Sequence, residues 1–437
     1  MEEKKLGLGS VISTSVGLVI ATSCLVSLGQ GAGEVGIVFI GAMVVACLLN
    51  MTTIGSLSEL NALMPNITGG LAQYTLACMG PVPTIVSMVG GYLICNILSA
   101  GVEASIFAYA MSEVIPLPIP SIVYTAVMMI VVMATNLIGV GTGTVVSQPA
   151  NMASSPSEVI SMTAVAFWLF IGAEFAIPIS GQVKNAKKNV PLGMALGLIV
   201  ILIMQAIMVL GFYHYTPWDE LANSAAPHML YGELLLGKAG KIWMAFVAAL
   251  AVISTQNSGV NGLAYIGQGM AKMNMLPQIF AKTNKRGVPY IGVILISVSM
   301  FIFAYISDGS SDMIEFLILV GSVFWMITYI FAHIDVLILR KKLPHAPRSF
   351  KVPCGPLFPL IGIIGTSYMI FYISTDPHER LMIWLITGVT LIVLGIYAFF
   401  WTKYKMKMPV FKAVPIEKVM AMDNEMYYKL RKKRGIW

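Results

Sequence analysis

Residues 158–183 read EVISMTAVAFWLFIGAEFAIPISGQV. The run is long enough to cross a hydrocarbon core of roughly 30 Å as a helix. Yet its second half carries Gly172, Glu174 and Pro178. Backbone polar groups in lipid must be paired internally, so such a run is helical. A glycine, a carboxylate and a proline inside one span favour a helix that is broken partway. Breaks of this kind expose backbone N–H and C=O groups, and helical membrane proteins use them to hold small solutes near the bilayer midplane. The bland alternative is that Gly172 serves close packing and Pro178 only kinks the helix. The intramembrane Glu174 favours function, because carboxylates at that depth are expensive and are retained for a purpose.

Working outward, apolar runs recur at roughly 9–33, 35–60, 83–112, 119–140, 191–213, 240–270, 289–307, 313–340, 356–374 and 381–402. With 158–183 they make eleven apparent spans, followed by a polar tail that contains KYKMK and ends RKKRGIW. The 437 residues are 57% hydrophobic and only 11% charged, with a mean hydropathy of +0.82. A soluble domain is about a quarter charged. A spanning β-barrel would show short alternating segments instead. The fold class is therefore an all-α polytopic membrane protein.

The formal net charge is +7. No Lys, Arg or His occurs from Leu6 to Val183, and the basic residues cluster in a few loops and the tail. That pattern marks topology rather than a nucleic-acid surface. Lys4 and Lys5, Lys184 to Lys188, Lys272 to Arg286, Arg340 to Lys351 and the tail are expected on the cytoplasmic side, which puts the N-terminus there. The opposite loops, PWDELANS, SDGSSD and STDPHER, are acidic or mixed. Five cysteines (Cys24, Cys47, Cys78, Cys95, Cys354) show no metal-ligand spacing. The opening MEEKKLGLGS lacks a cleavage site, so no removable signal peptide is expected.

Counting crossings exposes a conflict. Four spans from a cytoplasmic N-terminus return the chain to the cytoplasm near Val140, yet the fifth run must also end there to deliver KNAKK. The connector Gly141–Ser157 is too rich in Gly, Ser and Pro to be a lipid-facing helix. The expectation is that one transmembrane helix is missing between Val140 and Gly141. A natural or engineered deletion, residues dropped from the chain, or a re-entrant 158–183 run would each account for the parity.

Several residues are candidates for function. Ala21, Thr22 and Ser23 form a small polar-capable patch in the first run. Glu103 and Glu174 are intramembrane carboxylates with no basic side chain nearby in sequence. Each is expected to hold a proton or to meet a cation, which makes them proton-coupling candidates; a protonated carboxyl bonded to helix backbone is the structural alternative. Glu59 belongs near the cytoplasmic surface. Trp168 is suited to stack on a substrate cation, although tryptophans in such helices also pack. Trp325 and Tyr329 lie four apart on one helix face, where packing is favoured. Asn96, Asn257, Ser258 and Asn261 are equipped to bond a solute or, more commonly, a neighbouring helix. His333 and Asp335 lie near the basic end of their run, where a solvated role is expected.

Three stretches carry a resemblance. Lys184-Asn-Ala-Lys-Lys-Asn-Val-Pro191 after Phe170-Ile-Gly-Ala-Glu174, Leu276-Pro-Gln-Ile-Phe-Ala-Lys-Thr-Asn-Lys-Arg-Gly-Val-Pro289, and Leu339-Arg-Lys-Lys-Leu-Pro-His-Ala-Pro-Arg-Ser-Phe-Lys-Val-Pro353 occur in that order. Together with the helix spacing, the set resembles the amino acid–polyamine–organocation permeases over nearly the whole chain. The resemblance implies twelve helices in a LeuT-like inverted-repeat fold and identifies the missing element as helix five. It implies a first repeat over 1–140 lacking that helix, a connector at 141–157, a second repeat over 158–340, two further helices over 341–402 and a cytoplasmic tail over 403–437. It also implies a substrate site at Ala21, Thr22, Ser23, Asn96, Trp168, Ile171 and Gly172, with Glu174 and Glu103 as coupling carboxylates. Within the family, the sixth-helix segment resembles arginine/agmatine antiporters. A first-helix Gly-Ser-Gly of many relatives reads Ala21-Thr22-Ser23 here, and an eighth-helix aromatic is replaced by Gly259, which puts an arginine substrate in doubt.

The function expected is an amino acid permease in the cell membrane. It would carry an amino acid or related amine by alternating access, coupled to protons or run as exchange. No paired catalytic carboxylates, Ser-His-Asp arrangement or phosphate loop points to an enzyme, and no cofactor or metal is implied. The expected partners are a small-molecule substrate, the lipid bilayer and a coupling proton or cation, with room for a homodimer and none for nucleic acid. The alternative is a transport-inactive truncated chain that acts as a membrane partner or assembly subunit.

Overall fold

In the computed structural model, the described residues are 7–19, 22–64, 71–98, 148–153, 155–177, 183–224, 226–285, 287–307, 311–344, 346, 350–374, 376–416 and 419. They are helical apart from turns, connectors and an isolated antiparallel bridge between Gly36 and Asn151. The fourth predicted span, Glu103 and the join at Val140 lie outside the described residues.

The first run carries α1 (Leu8–Val19) and α2 (Thr22–Val35), and residues 20 and 21 between them lie outside the described ones. After α3 (Phe39–Leu63) come α4 (Ala72–Met79) and α5 (Pro81–Ser87), the latter passing into a π-helix at Met88–Ile94. The fifth run is divided. α6 (Pro156–Trp168) starts where Ser155 accepts the Glu158 N–H at 3.3 Å and Pro156 occupies the first turn, a sequence-readable cap. It ends at Trp168, and a short 3-10 turn, Ala173–Ala176, follows.

Next are α7 (Ala186–Tyr215), the short α8 (Trp218–Ala222) and α9 (Pro227–Lys272). α9 is kinked at Gly237, whose φ is +62°. α10 (Tyr290–Ser307), α11 (Ser311–Lys342), α12 (Leu357–Phe371) and α13 (Pro377–Phe400) complete the bundle, and α13 ends in a second π-helix at Trp401–Met406. Among the described residues, five helices are long and apolar enough to cross a membrane, and α10 and α12 are shorter apolar helices.

α11 is the axis of the assembly and packs on α3, α4, α12 and the π segment after α5. In α11 78% of the spanning window is buried within the protein, against 17% in α13. Apolar residues all round α11 therefore meet protein, whereas α13 turns Leu385, Val389, Ile392 and Ile396 outward, as a lipid-facing helix must.

On the side away from the basic loops, α8 and the start of α9 lie on α2. Gly29 and Gly33, one turn apart, bring the α2 backbone against Pro227 and Ala222; a Cβ would come within 2.1 Å of Pro227 Cβ and 2.4 Å of the Ala222 nitrogen.

At the basic end Arg340 of α11 reaches Glu59 of α3, with Nε to Oε1 at 2.8 Å and Nη2 to Oε2 at 2.5 Å. The same guanidinium donates to the carbonyls of Val352, at 3.0 Å, and Gly355, and Glu59 Oε2 accepts the Val352 N–H at 2.8 Å. This network fastens the connector between α11 and α12 to the bundle.

His333 and Asp335 correct the expectation of a solvated role. His333 is fully buried, with Nδ1 2.8 Å from Ser56 Oγ and Nε2 3.3 Å from Thr53 Oγ1. Asp335 is 1% exposed and accepts from Thr75 Oγ1 at 2.7 Å. Helices α3, α4 and α12 cover both residues, so closeness to Arg340 in sequence does not bring them to water.

Candidate functional site

The first run meets the broken fifth run. α1 packs on the 3-10 turn after α6, and α2 packs on α6 itself. Cys24 of α2 directs its thiol to the Val19 carbonyl at 3.1 Å and to the Trp168 carbonyl at 3.9 Å. Ser15 donates to the Ala173 carbonyl at 3.4 Å, and Gln205 of α7 donates to the Leu169 carbonyl at 3.3 Å. Carbonyls of the broken fifth run at Trp168, Leu169 and Ala173 are thus met by side chains of α1, α2 and α7, as buried backbone requires.

The break after Trp168 depends on Gly172. Its φ is +114°, a region in which a Cβ is strained. From there Glu174 turns inward and is 4% exposed. Its Oε1 accepts from Trp325 Nε1 and from the Tyr329 hydroxyl, both at 2.8 Å, and its Oε2 accepts the Gly172 N–H at 3.1 Å. The carboxyl group therefore ties the broken helix to α11. Trp325 and Tyr329 share a face because they are one turn apart, but the face presents donors as well as packing surface. This changes the expectation that packing alone governs the pair. Aromatic contacts frame the group: Tyr92 lies 5.2 Å from Trp325 and Phe167 lies 6.0 Å from Tyr329, centroid to centroid.

The remaining predicted residues are only partly brought into this region. Trp168, Ile171 and Gly172 lie at the break, and Trp168 and Ile171 are buried. Asn96 follows the π-helix and donates to the Tyr92 carbonyl of its own turn at 2.8 Å. Its Oδ1 faces Gly259 of α9: a Cβ there would lie 3.7 Å from that oxygen and, among the described residues, meet nothing else within 4 Å. The absence of a side chain at 259 thus leaves room beside Asn96.

Ala21 lies outside the described residues, as do the side chains of Thr22, Ser23, Asn257, Ser258 and Asn261. Sequence reasoning missed Cys24, Ser15 and Gln205. Their partners are backbone carbonyls 144, 158 and 36 residues away, and no local pattern marks such contacts. No group of three or more His, Cys, Asp or Glu side chains able to hold a metal ion occurs among the described residues.

A family model described as amino acid permease matches residues 119–404, well over half of the chain. The chain belongs to the amino acid permease family. It is 28% identical over 242 residues to a putative arginine/ornithine antiporter of Bacillus subtilis (strain 168), covering 54% of this chain and 50% of that protein. It is 24% identical over 240 residues to the branched-chain amino acid permease of the same organism, covering 53% and 49%. The chain thus spans about half the length of the curated relatives it matches.

Among solved structures, a manganese transporter of Eremococcus coleocola superimposes with a TM-score of 0.54 at 12% identity, over 91% of this chain and 94% of that one. A mutant form of the same transporter gives 0.53 at 13%, over 90% and 95%. These likenesses show the fold, and the LeuT-like helical architecture expected from the sequence is the architecture of the chain. The family is one of permeases and antiporters rather than enzymes, and the chain is a multi-pass membrane protein.

Proposed function

We propose that the chain is a permease that moves an amino acid or related amine across the cell membrane by alternating access, coupled to protons or run as exchange. The observation that carries the proposal is the break after α6, shaped by Gly172 and Glu174 and packed against by α1 and α2. A helix broken at membrane depth supplies backbone carbonyls for an amine, and in this reading backbone N–H groups of the first run take a carboxylate. In this reading the carboxylate meets the start of α2 near Ala21, Thr22 and Ser23. The amine meets the carbonyl edge at Trp168 to Gly172, and Asn96 borders the site. The names of the relatives, an antiporter of basic amino acids and a permease of branched-chain ones, support amino acids as the substrate class. Division into two inverted repeats, over 1–140 and 158–340, and a cytoplasmic N-terminus belong to the same proposal.

Glu174 is the coupling carboxylate in this reading, because its three donors lie on the two elements, the broken helix and α11, whose separation would open the site. The test is uptake and exchange of radiolabelled amino acids and polyamines in proteoliposomes across a range of pH. Transport by the wild type with a pH profile that flattens in Glu174→Gln is expected. An unchanged profile in that variant removes the coupling role, and no uptake or exchange across the panel overturns the permease reading.

The parity of the spans favours one second reading, a transport-inactive chain that acts as a membrane partner. Equal activity with and without a restored fifth helix would exclude it.

A further inference from the structure

In the sequence Gly80-Pro81-Val82-Pro83, Gly80 separates α4 from α5 and the next three residues form the first turn of α5. Neither proline has an N–H. The Leu76 and Cys78 carbonyls would pair with the Gly80 and Val82 N–H groups if α4 ran on, but it stops at Gly80, and Val82 carries the lone N–H between Gly80 and Thr84. These groups are completed from outside the local chain. The Leu76 carbonyl accepts the Val414 N–H at 3.2 Å, and the Val82 N–H goes to the Val410 carbonyl at 3.4 Å. The Cys78 carbonyl accepts Lys342 Nζ at 3.1 Å, a cation at a helix C-terminus. Gln73 Nε2 donates to the Val419 carbonyl at 3.4 Å. Between these bonds the two backbones nearly touch: a Cβ on Gly80 would come within 2.7 Å of the Lys412 oxygen, and Gly80 has a φ of +89°.

The segment that supplies these partners follows α13, in the part of the chain whose sequence reads as a polar tail. Met406, Val414 and Val419 are nevertheless buried. Its near end is fixed to the end of α9, where Trp401 Nε1 donates to the Asn274 carbonyl at 2.9 Å and Asn274 Nδ2 donates to the Lys405 carbonyl at 3.3 Å. On its other flank α4 is held by α11, through Thr75 on Asp335 and Lys342 on Cys78. α4 is thus clasped between α11 and the C-terminal segment, and it lies in the link between α3 and α5.

We propose that residues 407–416, together with Val419, form an intramolecular strap that restrains rearrangement at the basic end of the bundle. Resting on the permease reading, the strap slows the transport cycle, and its release is the faster state. Backbone complementarity specifies the strap: it provides a donor and an acceptor where the end of α4 and the first turn of α5 leave one of each without an intrahelical partner.

The test uses the full chain in nanodiscs and proteoliposomes. Val414→Asp puts a charge into the buried dock. Gln73→Leu removes one anchor without adding charge. Hydrogen exchange over residues 72–82 is expected to accelerate about tenfold in Val414→Asp, the equivalent of one or two hydrogen bonds, and less in Gln73→Leu. Solute exchange is expected to quicken in the same order. Unchanged hydrogen exchange in both variants overturns the strap. Faster hydrogen exchange with an unchanged or slower solute rate overturns its restraining role. If the wild type moves no solute while residues 72–82 loosen in Val414→Asp, the docking stands and the permease reading falls.

Discussion

Replacing Arg340 by methionine tests the network at the basic end of the bundle. The Glu59 side chain is 3% exposed and that of Arg340 13%, so the pair is shielded from solvent on both sides. Arg340→Met leaves Glu59 a buried carboxylate whose remaining contact in this network is the Val352 N–H. Removing one partner of a buried pair costs about 3–5 kcal/mol, mostly as the penalty of the charge left behind. Glu59→Met also removes its partner, but Arg340 keeps the carbonyls of Val352 and Gly355, so a loss of about 2–3 kcal/mol is expected. In the double variant no charge is stranded. Three backbone groups lose partners instead, and the net loss should be about 1–3 kcal/mol. The coupling energy is then at least about 2 kcal/mol. Reversible unfolding in mixed detergent and SDS micelles, followed by fluorescence of the seven tryptophans, measures all four proteins. Losses that add within about 0.5 kcal/mol, or a single-variant loss below about 1 kcal/mol, would refute the reasoning, because exposed, independent charges behave that way.

Other outcomes follow from the site and its surroundings. Tyr329→Phe removes one of the three donors to Glu174 and should cost about 1 kcal/mol; the loss should shrink in a Glu174→Gln background, measured in the same micelles. Gly172→Ala forces a side chain into φ +114° and should cost about 1–3 kcal/mol while weakening solute binding, read by thermal shift with and without amino acids. His228 lies before the Gly237 kink of α9, is fully buried, and neither ring nitrogen has a hydrogen-bond partner among the described residues. Burial pushes its imidazole down to about 4. The unfolded chain then takes up a proton from about pH 6.5 downward, which the folded chain refuses until about pH 4. Stability present at neutral pH should be lost over that window, by up to about 3 kcal/mol, and His228→Phe should flatten the descent of Tm.

The interruption after α6 was legible in sequence because it uses residues that tolerate little else. A glycine, a carboxylate and a proline in the 158–183 run have no comfortable place in an uninterrupted lipid-facing helix. The depth of Glu174 was equally legible, since its distance from the nearest basic residues can be counted. What faces Glu174 was not. Trp325 and Tyr329 share a helix face on sequence alone, but which neighbour that face meets is a fact of packing.

His333 shows the limit from the other direction. Seven residues separate it from Arg340, about 10 Å along a helix, and axial closeness to a polar end suggested water. Lateral cover by α3 and α12 decides the matter, and no one-dimensional pattern records it. The tail misleads for a related reason. Charged residues at 403, 405, 407 and 412 dominate its composition, while the valines that dock it are few and spaced through it.

The seating of α8 and α9 on α2 has one partner bare of side chains at its points of contact. Such a joint has no rotamers to freeze when it shuts and none to release when it opens, so little side-chain entropy is exchanged either way. It works as a mechanical stop. Backbone meets Pro227 and Ala222 at a fixed separation, and the end of travel is set by hard contact rather than by attraction that grows gradually. A single methyl at residue 29 or 33 would act as a shim and move that end point outward by its own thickness.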